Sequence, residues 1–251
     1  MKKTSRVALV ALLALGLLAA AGCQRVALND GSATGSRTKV ETRTVGLDGA
    51  TKLDATIRMG VGELTMSGVP SSTAALDSQF TYTRAEWKPE LTYQVSGGTG
   101  SLKLSQPRGD VGLPGVGHVE NAWDLKLAGG VPTDLSLELG VGTSEVNLRD
   151  VDIRSFEIIT GVGESTIDLS GPRTADASGR VEAGIGAATI RLPRNVAVRV
   201  VSDGEGVGEL VADGFTLQGK DYVNDAWGKP GPKIELRLNR GIGEMKLVLV
   251  D

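Results

Sequence analysis

The sequence predicts an all-β domain built from a stacked repeat, on three grounds. A Gly-Φ-Gly unit, with Φ valine or isoleucine, recurs down the chain. The apolar residues around it alternate with period two, and after the first 22 residues no stretch carries a 3.6-residue apolar stripe. Glycine supplies 35 of 251 residues, about twice its usual share.

The unit is found at Gly60-Val61-Gly62-Glu63, Gly140-Val141-Gly142-Thr143 and Gly161-Val162-Gly163-Glu164. It returns at Gly184-Ile185-Gly186-Ala187, Gly206-Val207-Gly208-Glu209 and Gly241-Ile242-Gly243-Glu244, with a degenerate copy at Gly98-Thr99-Gly100-Ser101. From Gly140 onward the first glycines are 21, 23, 22 and 35 residues apart, so the repeat is about 20–22 residues, with an insertion before the last copy. A period of that length signals stacked, quasi-one-dimensional architecture.

Within a unit the apolar parity flips once, at the second glycine. Leu135, Leu137, Leu139 and Val141 are odd, whereas Val146 and Leu148 are even; Ile234, Leu236, Leu238 and Ile242 give way to Met245, Leu247 and Leu249. A flip sends the following side chains to the other face unless the backbone turns there, and glycine permits such a turn. Two geometries fit. In a β-solenoid each Gly-Φ-Gly is a corner with Φ pointing into the core. In an antiparallel meander or sandwich it is a hairpin loop. A hairpin tip has no use for a β-branched apolar residue six times over, which favours the solenoid with a buried corner.

The first 22 residues read as a leader. Lys2, Lys3 and Arg6 precede an apolar run from Val7 to Ala21, and Gly22-Cys23 closes it. That run is shorter than the roughly 20 residues of a permanent membrane span. The arrangement resembles a bacterial lipoprotein signal, which implies cleavage before Cys23 and lipid on its thiol, although Ala20 stands where such signals prefer leucine. Removing the leader takes three of the 27 basic residues and none of the 30 acidic ones, so the net charge moves from −3 to −6. The expected organisation is therefore a signal over 1–22, a lipidated Cys23 with a flexible tether over 23–45, and a β-repeat domain over 46–251. The expected location is extracytoplasmic, on the cell membrane or the outer membrane.

In the body, Asp77-Ser-Gln-Phe-Thr-Tyr, Lys88-Pro-Glu-Leu-Thr-Tyr-Gln-Val, Leu102-Lys-Leu-Ser-Gln-Pro and Trp123-Asp-Leu-Lys-Leu follow one another. Val131-Pro132 then leads into Leu135-Ser-Leu-Glu-Leu-Gly-Val-Gly and Val146-Asn-Leu-Arg-Asp. Over roughly residues 50–250 this order resembles the toast_rack N-terminal domain. That family is related to adhesin-like β-repeats and to the C-terminal domain of LiaF-type cell-wall stress proteins. The resemblance implies an extracytoplasmic β-repeat domain and carries over no catalytic residues.

Little chemistry is written into the motifs. Glu63, Glu164, Glu209 and Glu244 share one position of the unit, and stacking in register would bring them toward a carboxylate ladder able to recruit a hard cation such as calcium. Thr143, Ala187 and Ser101 interrupt that row, so solvated carboxylates that discourage edge association are the simpler reading. Trp87, Trp123 and Trp227 sit in the longer excursions, where a tryptophan can stack on a sugar ring or cap an open strand end with its N–H satisfied by a carbonyl. The single histidine, His118, and single cysteine cannot form a zinc set. There is no Walker loop, nucleophile elbow or dinucleotide fingerprint. Without a basic surplus, nucleic acid is not an expected partner.

The expectation is a non-enzymatic envelope lipoprotein without cofactors. It would be membrane-bound through its lipid and present a β-repeat surface to an envelope protein or glycan. A polysaccharide-binding or polysaccharide-active β-helix protein and an ion-stabilised structural module are the alternatives.

Overall fold

The computed structural model describes residues 27–28, 38–107, 119–203 and 206–251. The leader, Cys23 and His118 lie outside the described residues. Sixteen strands follow one another: β1 (Ala27–Leu28), β2 (Lys39–Gly46), β3 (Lys52–Val69), β4 (Ala74–Tyr82), β5 (Glu90–Ser96), β6 (Thr99–Ser105), β7 (Asn121–Ala128) and β8 (Thr133–Asn147). Then come β9 (Ile153–Asp168), β10 (Ala177–Pro193), β11 (Ala197–Asp203), β12 (Leu210–Asp213), β13 (Thr216–Gln218), β14 (Asp221–Val223), β15 (Lys233–Asn239) and β16 (Ile242–Val250). One 3₁₀ turn, Ala85–Trp87, is the sole helical element among the described residues.

β3, β8, β9 and β10 are 18, 15, 16 and 17 residues long. Their pairing shows that they cannot be straight. A straight β8 would span about 50 Å, yet β9 begins beside its start, with Ile153 opposite Thr133 in a parallel pair. The intervening residues 148–152 reach at most about 20 Å. The strand must double back near its middle, and Gly140-Val141-Gly142 is where it does so.

Each long strand therefore serves two walls of one sheet. Its first half lies in a wall ordered β5-β6-β3-β8-β9-β10-β15-β11-β14-β13. Its second half lies in a wall ordered β1-β2-β4-β7-β3-β8-β9-β10-β16-β12. Both walls turn their apolar side chains onto a single core. Ala55, Leu135, Phe156, Gly179 and Leu236 run in register across the first wall. Met66, Val146, Ile167, Ile190 and Leu247 do so across the second. Gly179 gives room to the neighbouring Phe156 ring, which any Cβ there would strike. A half-buried arginine holds the return bends: Arg173 donates to the carbonyls of Leu169 at 2.9 Å and Val151 at 3.3 Å.

The fold is thus all-β, as the alternation predicts, and the parity flip falls at the second glycine. The pairing is parallel through β3, β8, β9, β10 and β15 and antiparallel at both flanks, so the whole is a mixed sheet. The glycine units at Gly60, Gly140, Gly161 and Gly184 are bends inside long strands, the one at Gly241 joins β15 to β16, the one at Gly206 precedes β12, and the degenerate copy at Gly98 sits at the β5–β6 hairpin.

Two expectations are corrected. The Φ residues are not buried: Val141, Val162, Ile185 and Ile242 are each about half exposed and Val207 is 68% exposed. Φ continues the parity of the apolar residues before it, so alternation places it on the core face, but the bend has already begun there and turns it outward. The folded part also starts before residue 46, since β2 is paired with β4 from Lys39 onward. The inward positions of β2 are Glu41, Arg43 and Val45, which show no apolar period because two of them form an ion pair. Arg43 Nε donates to Glu41 at 2.8 Å, Tyr82 donates to the same carboxylate at 3.2 Å, and Arg43 lies over the Phe80 ring at 5.5 Å. Burial pushes the Glu41 carboxyl up, but the Arg43 guanidinium and the Tyr82 hydroxyl outweigh it and hold it below its ordinary value.

Candidate functional site

The outer surface is organised by the glycine corners. Gly62, Gly142, Gly163, Gly186 and Gly243 stand in register across the bend, all with φ between 134° and 145°. At Gly163 two requirements coincide. Its φ of 140° is one that L side chains rarely adopt. A Cβ there would also overlap the carbonyl oxygen of Gly142 on the preceding strand. The column of bare backbone lets neighbouring bends nest.

Between the two glycine columns the Φ residues line up as Val61, Val141, Val162, Ile185, Ile242 and Val207, the last through a parallel bridge to Ile242. At about 4.8 Å per strand this row is about 24 Å long. Its two ends differ. Beyond Val61 no strand among the described residues continues the bend; the Gln106 Oε1 accepts the N–H groups of Gly60 at 3.0 Å and Val61 at 3.1 Å. Asn121 Nδ2 donates to the Val61 carbonyl and to Gln106 Oε1. At the other end Val207 is the outermost member, held by its N–H to Gly241 and by the Gly243 N–H to its carbonyl. Sequence reasoning missed Gln106 and Asn121, which act across 45 and 60 residues and belong to no local pattern.

The carboxylate row exists but is diluted. Glu63 is opposite Thr143, Thr143 opposite Glu164, Glu164 opposite Ala187, and Ala187 opposite Glu244. Glu63, Glu164 and Glu244 are therefore about 9.6 Å apart, two strand spacings. Glu209 neighbours Glu244, one residue before the Leu210–Met245 pair, and Glu244 also meets Lys246 at 2.9 Å. Among the described residues no three His, Cys, Asp or Glu side chains gather as a metal site.

The first wall carries a shallow groove of about 890 Å³, lined by charged and hydroxyl side chains including Asp134, Ser136, Ser155, Glu157, Arg180 and Arg237. Five of its eight charged side chains are held in ion pairs. Arg180 pairs with Glu157, Arg199 with Asp221 and Glu235 with Lys233, and Asp134 receives Lys52 at 2.5 Å and the Ser155 hydroxyl at 2.7 Å. Burial raises the Asp134 carboxyl, but these donors outweigh it and hold it below its ordinary value. The Asp134 hydrogen bond and charge push Lys52 up. A lysine so held is a poor base for Ser155, and the trio acts as a cross-strand strut.

The tryptophans divide. Trp87 and Trp123 are buried, whereas Trp227 is half-buried with the Arg199 guanidinium 6.0 Å from its ring centre. Trp123 meets Phe80 edge-on at 5.4 Å, and its indole N–H has no hydrogen-bond partner, contrary to the expected carbonyl.

A bent, glycine-cornered sheet with its polar chemistry in struts and its apolar residues in an outward row defines an all-β repeat domain of adhesin-like architecture. The chain belongs to the family of the N-terminal domain of toast_rack, DUF2154, whose sequence profile matches residues 33–191. It is similar to the crystal structure of a candidate cell adhesion protein from Clostridium sporogenes, with 31% identity and a TM-score of 0.80, covering 85% of this chain and 100% of that one. A candidate adhesin from Bacteroides fragilis aligns at 16% identity and a TM-score of 0.32 over 84% of this chain and 97% of that one. No curated protein matches the sequence.

Proposed function

We propose that the chain is a non-enzymatic interaction domain of the cell envelope, of the adhesion type, held to its membrane by lipid on Cys23. The observation that carries this reading is the likeness, at 31% identity and over the whole of the other chain, to the clostridial candidate cell adhesion protein. The first-wall groove supports it, because Asp134, the carboxylate beside the Ser155 hydroxyl, is tied to Lys52 in a strut. β1 supports the anchor. It pairs with β2 at Glu41 and Thr42, and Cys23 lies only four residues before Ala27, a reach of at most about 14 Å. Lipid on Cys23 would thus hold the β2 edge close to the bilayer, and two or three acyl chains would make release slow where one would not.

Fractionation of cells carrying wild type or Cys23→Ala tests the anchor, with the variant expected in the soluble fraction. Membrane partition equal to wild type would refute it. Cross-linking in intact cells is expected to capture an envelope component, and turnover of a cell-wall glycan dependent on one Asp or Glu would overturn the non-enzymatic reading.

A further inference from the structure

In the row Val61, Val141, Val162, Ile185, Ile242 and Val207 only Val61, partly buried, packs against the core. Stacked β-branched residues shield one another sideways, yet those from Val141 to Val207 remain between 46% and 68% exposed. Contiguous apolar surface of this kind marks interaction sites. Glycine columns flank the row on both sides, so it stands as a ridge between two troughs of bare backbone.

The charges beside the ridge select its occupant. Glu63, Glu164, Glu209 and Glu244 border it two residues further on, all exposed, and of these only Glu244 has an ion-pair partner. A second copy laid ridge to ridge would oppose two such rows, and an anionic lipid surface would meet the same repulsion. A basic partner would gain from it. We propose that this ridge docks a basic, apolar-faced peptide segment of a partner protein, its apolar side chains seated in the glycine troughs and its lysines or arginines over the glutamate row. The inference rests on the interaction-domain reading above and names the surface and the chemistry of the partner.

The test is a binding titration of the immobilised full chain with a synthetic 14-residue leucine–lysine peptide. A leucine–glutamate peptide and an oligolysine of equal length serve as comparisons, and identical surfaces carry the variants. The leucine–lysine peptide is expected to bind. The affinity should fall at least about tenfold in Val141→Thr/Val162→Thr/Ile185→Thr and in Glu63→Gln/Glu164→Gln/Glu244→Gln, with the thermal midpoint of each within a few degrees of wild type. Threonine keeps the β-branch, so the first variant removes apolarity and little else. Undiminished binding by either variant, or oligolysine binding as tightly, would overturn the proposal. So would a dimer that the threonine variant abolishes, because the ridge would then serve a second copy. Membrane release and cross-linking report on the broader reading separately, so failure of the ridge is distinguishable from failure of that reading.

Discussion

Gln106 takes the place of a neighbouring bend: its side-chain oxygen accepts the N–H of Val61 at 3.1 Å, as a backbone carbonyl of a preceding strand would. The same oxygen accepts the Gly60 N–H and an Asn121 amide hydrogen. One side chain thus satisfies three donors at the first bend and closes a ladder that would otherwise present free backbone there.

Removing that oxygen should be felt locally. Gln106→Ala leaves three donors to water or to nothing, and because the site is partly exposed the expected cost is about 1–2 kcal/mol. Gln106→Glu keeps the acceptor and should cost less. Urea denaturation checks the ranking, and equal midpoints for wild type and Gln106→Ala would contradict the stand-in role.

Glycine at the bend should be far less replaceable than glycine at a free turn. Gly163→Ala combines a forbidden φ with overlap on the Gly142 carbonyl, and is expected to cost at least about 3 kcal/mol. Gly97 also has positive φ, but a Cβ there meets nothing within 4 Å, so Gly97→Ala should cost about 1 kcal/mol. Similar losses at the two positions would mean that the bends do not nest as described.

The outward valine gives the opposite expectation from a buried corner. Val162→Asp places its carboxylate in water, loses one rung of a β-branched ladder and adds a charge near Glu164, a cost of about 1 kcal/mol or less. Four residues earlier, Ile158 is fully buried; Ile158→Asp would bury an unpaired charge and should prevent folding. Thermal melting of both variants decides the matter, and severe loss in Val162→Asp would return Φ to the core.

These residues also show what the sequence made legible. Alternation identified Leu135, Leu137, Val146 and Leu148 as core and located the bend at the second glycine, because burial imposes period two. It oriented Val162 wrongly, because that residue keeps the parity of Phe156 and Ile158 while the backbone has already begun to bend. It could not find β2, whose inward face is an ion pair. The glutamate row was visible as a column, but its interruption by Thr143 and Ala187 needed the parallel register to be read as a spacing. Gln106 and Asn121 left no local trace, since their partners are distant in the chain.

The buried pair at the rim of the core should make stability depend on acid in a defined direction. The Glu41 carboxyl is held below its ordinary value of 4.5, so its contribution is fully present above about pH 4.5 and is lost as pH falls through the lower value of the folded state. Tyr82 works the other way: burial, followed by the neighbouring Glu41 charge and hydrogen bond, raises its hydroxyl above 10.0. Its contribution therefore persists below pH 10 and disappears only as pH rises through the folded value. Glu41→Gln leaves Arg43 without its charged partner and should cost about 3 kcal/mol at pH 7. In acid the wild-type carboxyl is protonated too, so the two proteins should converge. The difference in denaturation free energy between wild type and Glu41→Gln is expected to hold from pH 6 to about pH 4.5 and to shrink from there to pH 3. A gap that stays constant over that range would show that the carboxylate charge is not what holds β2 to the core.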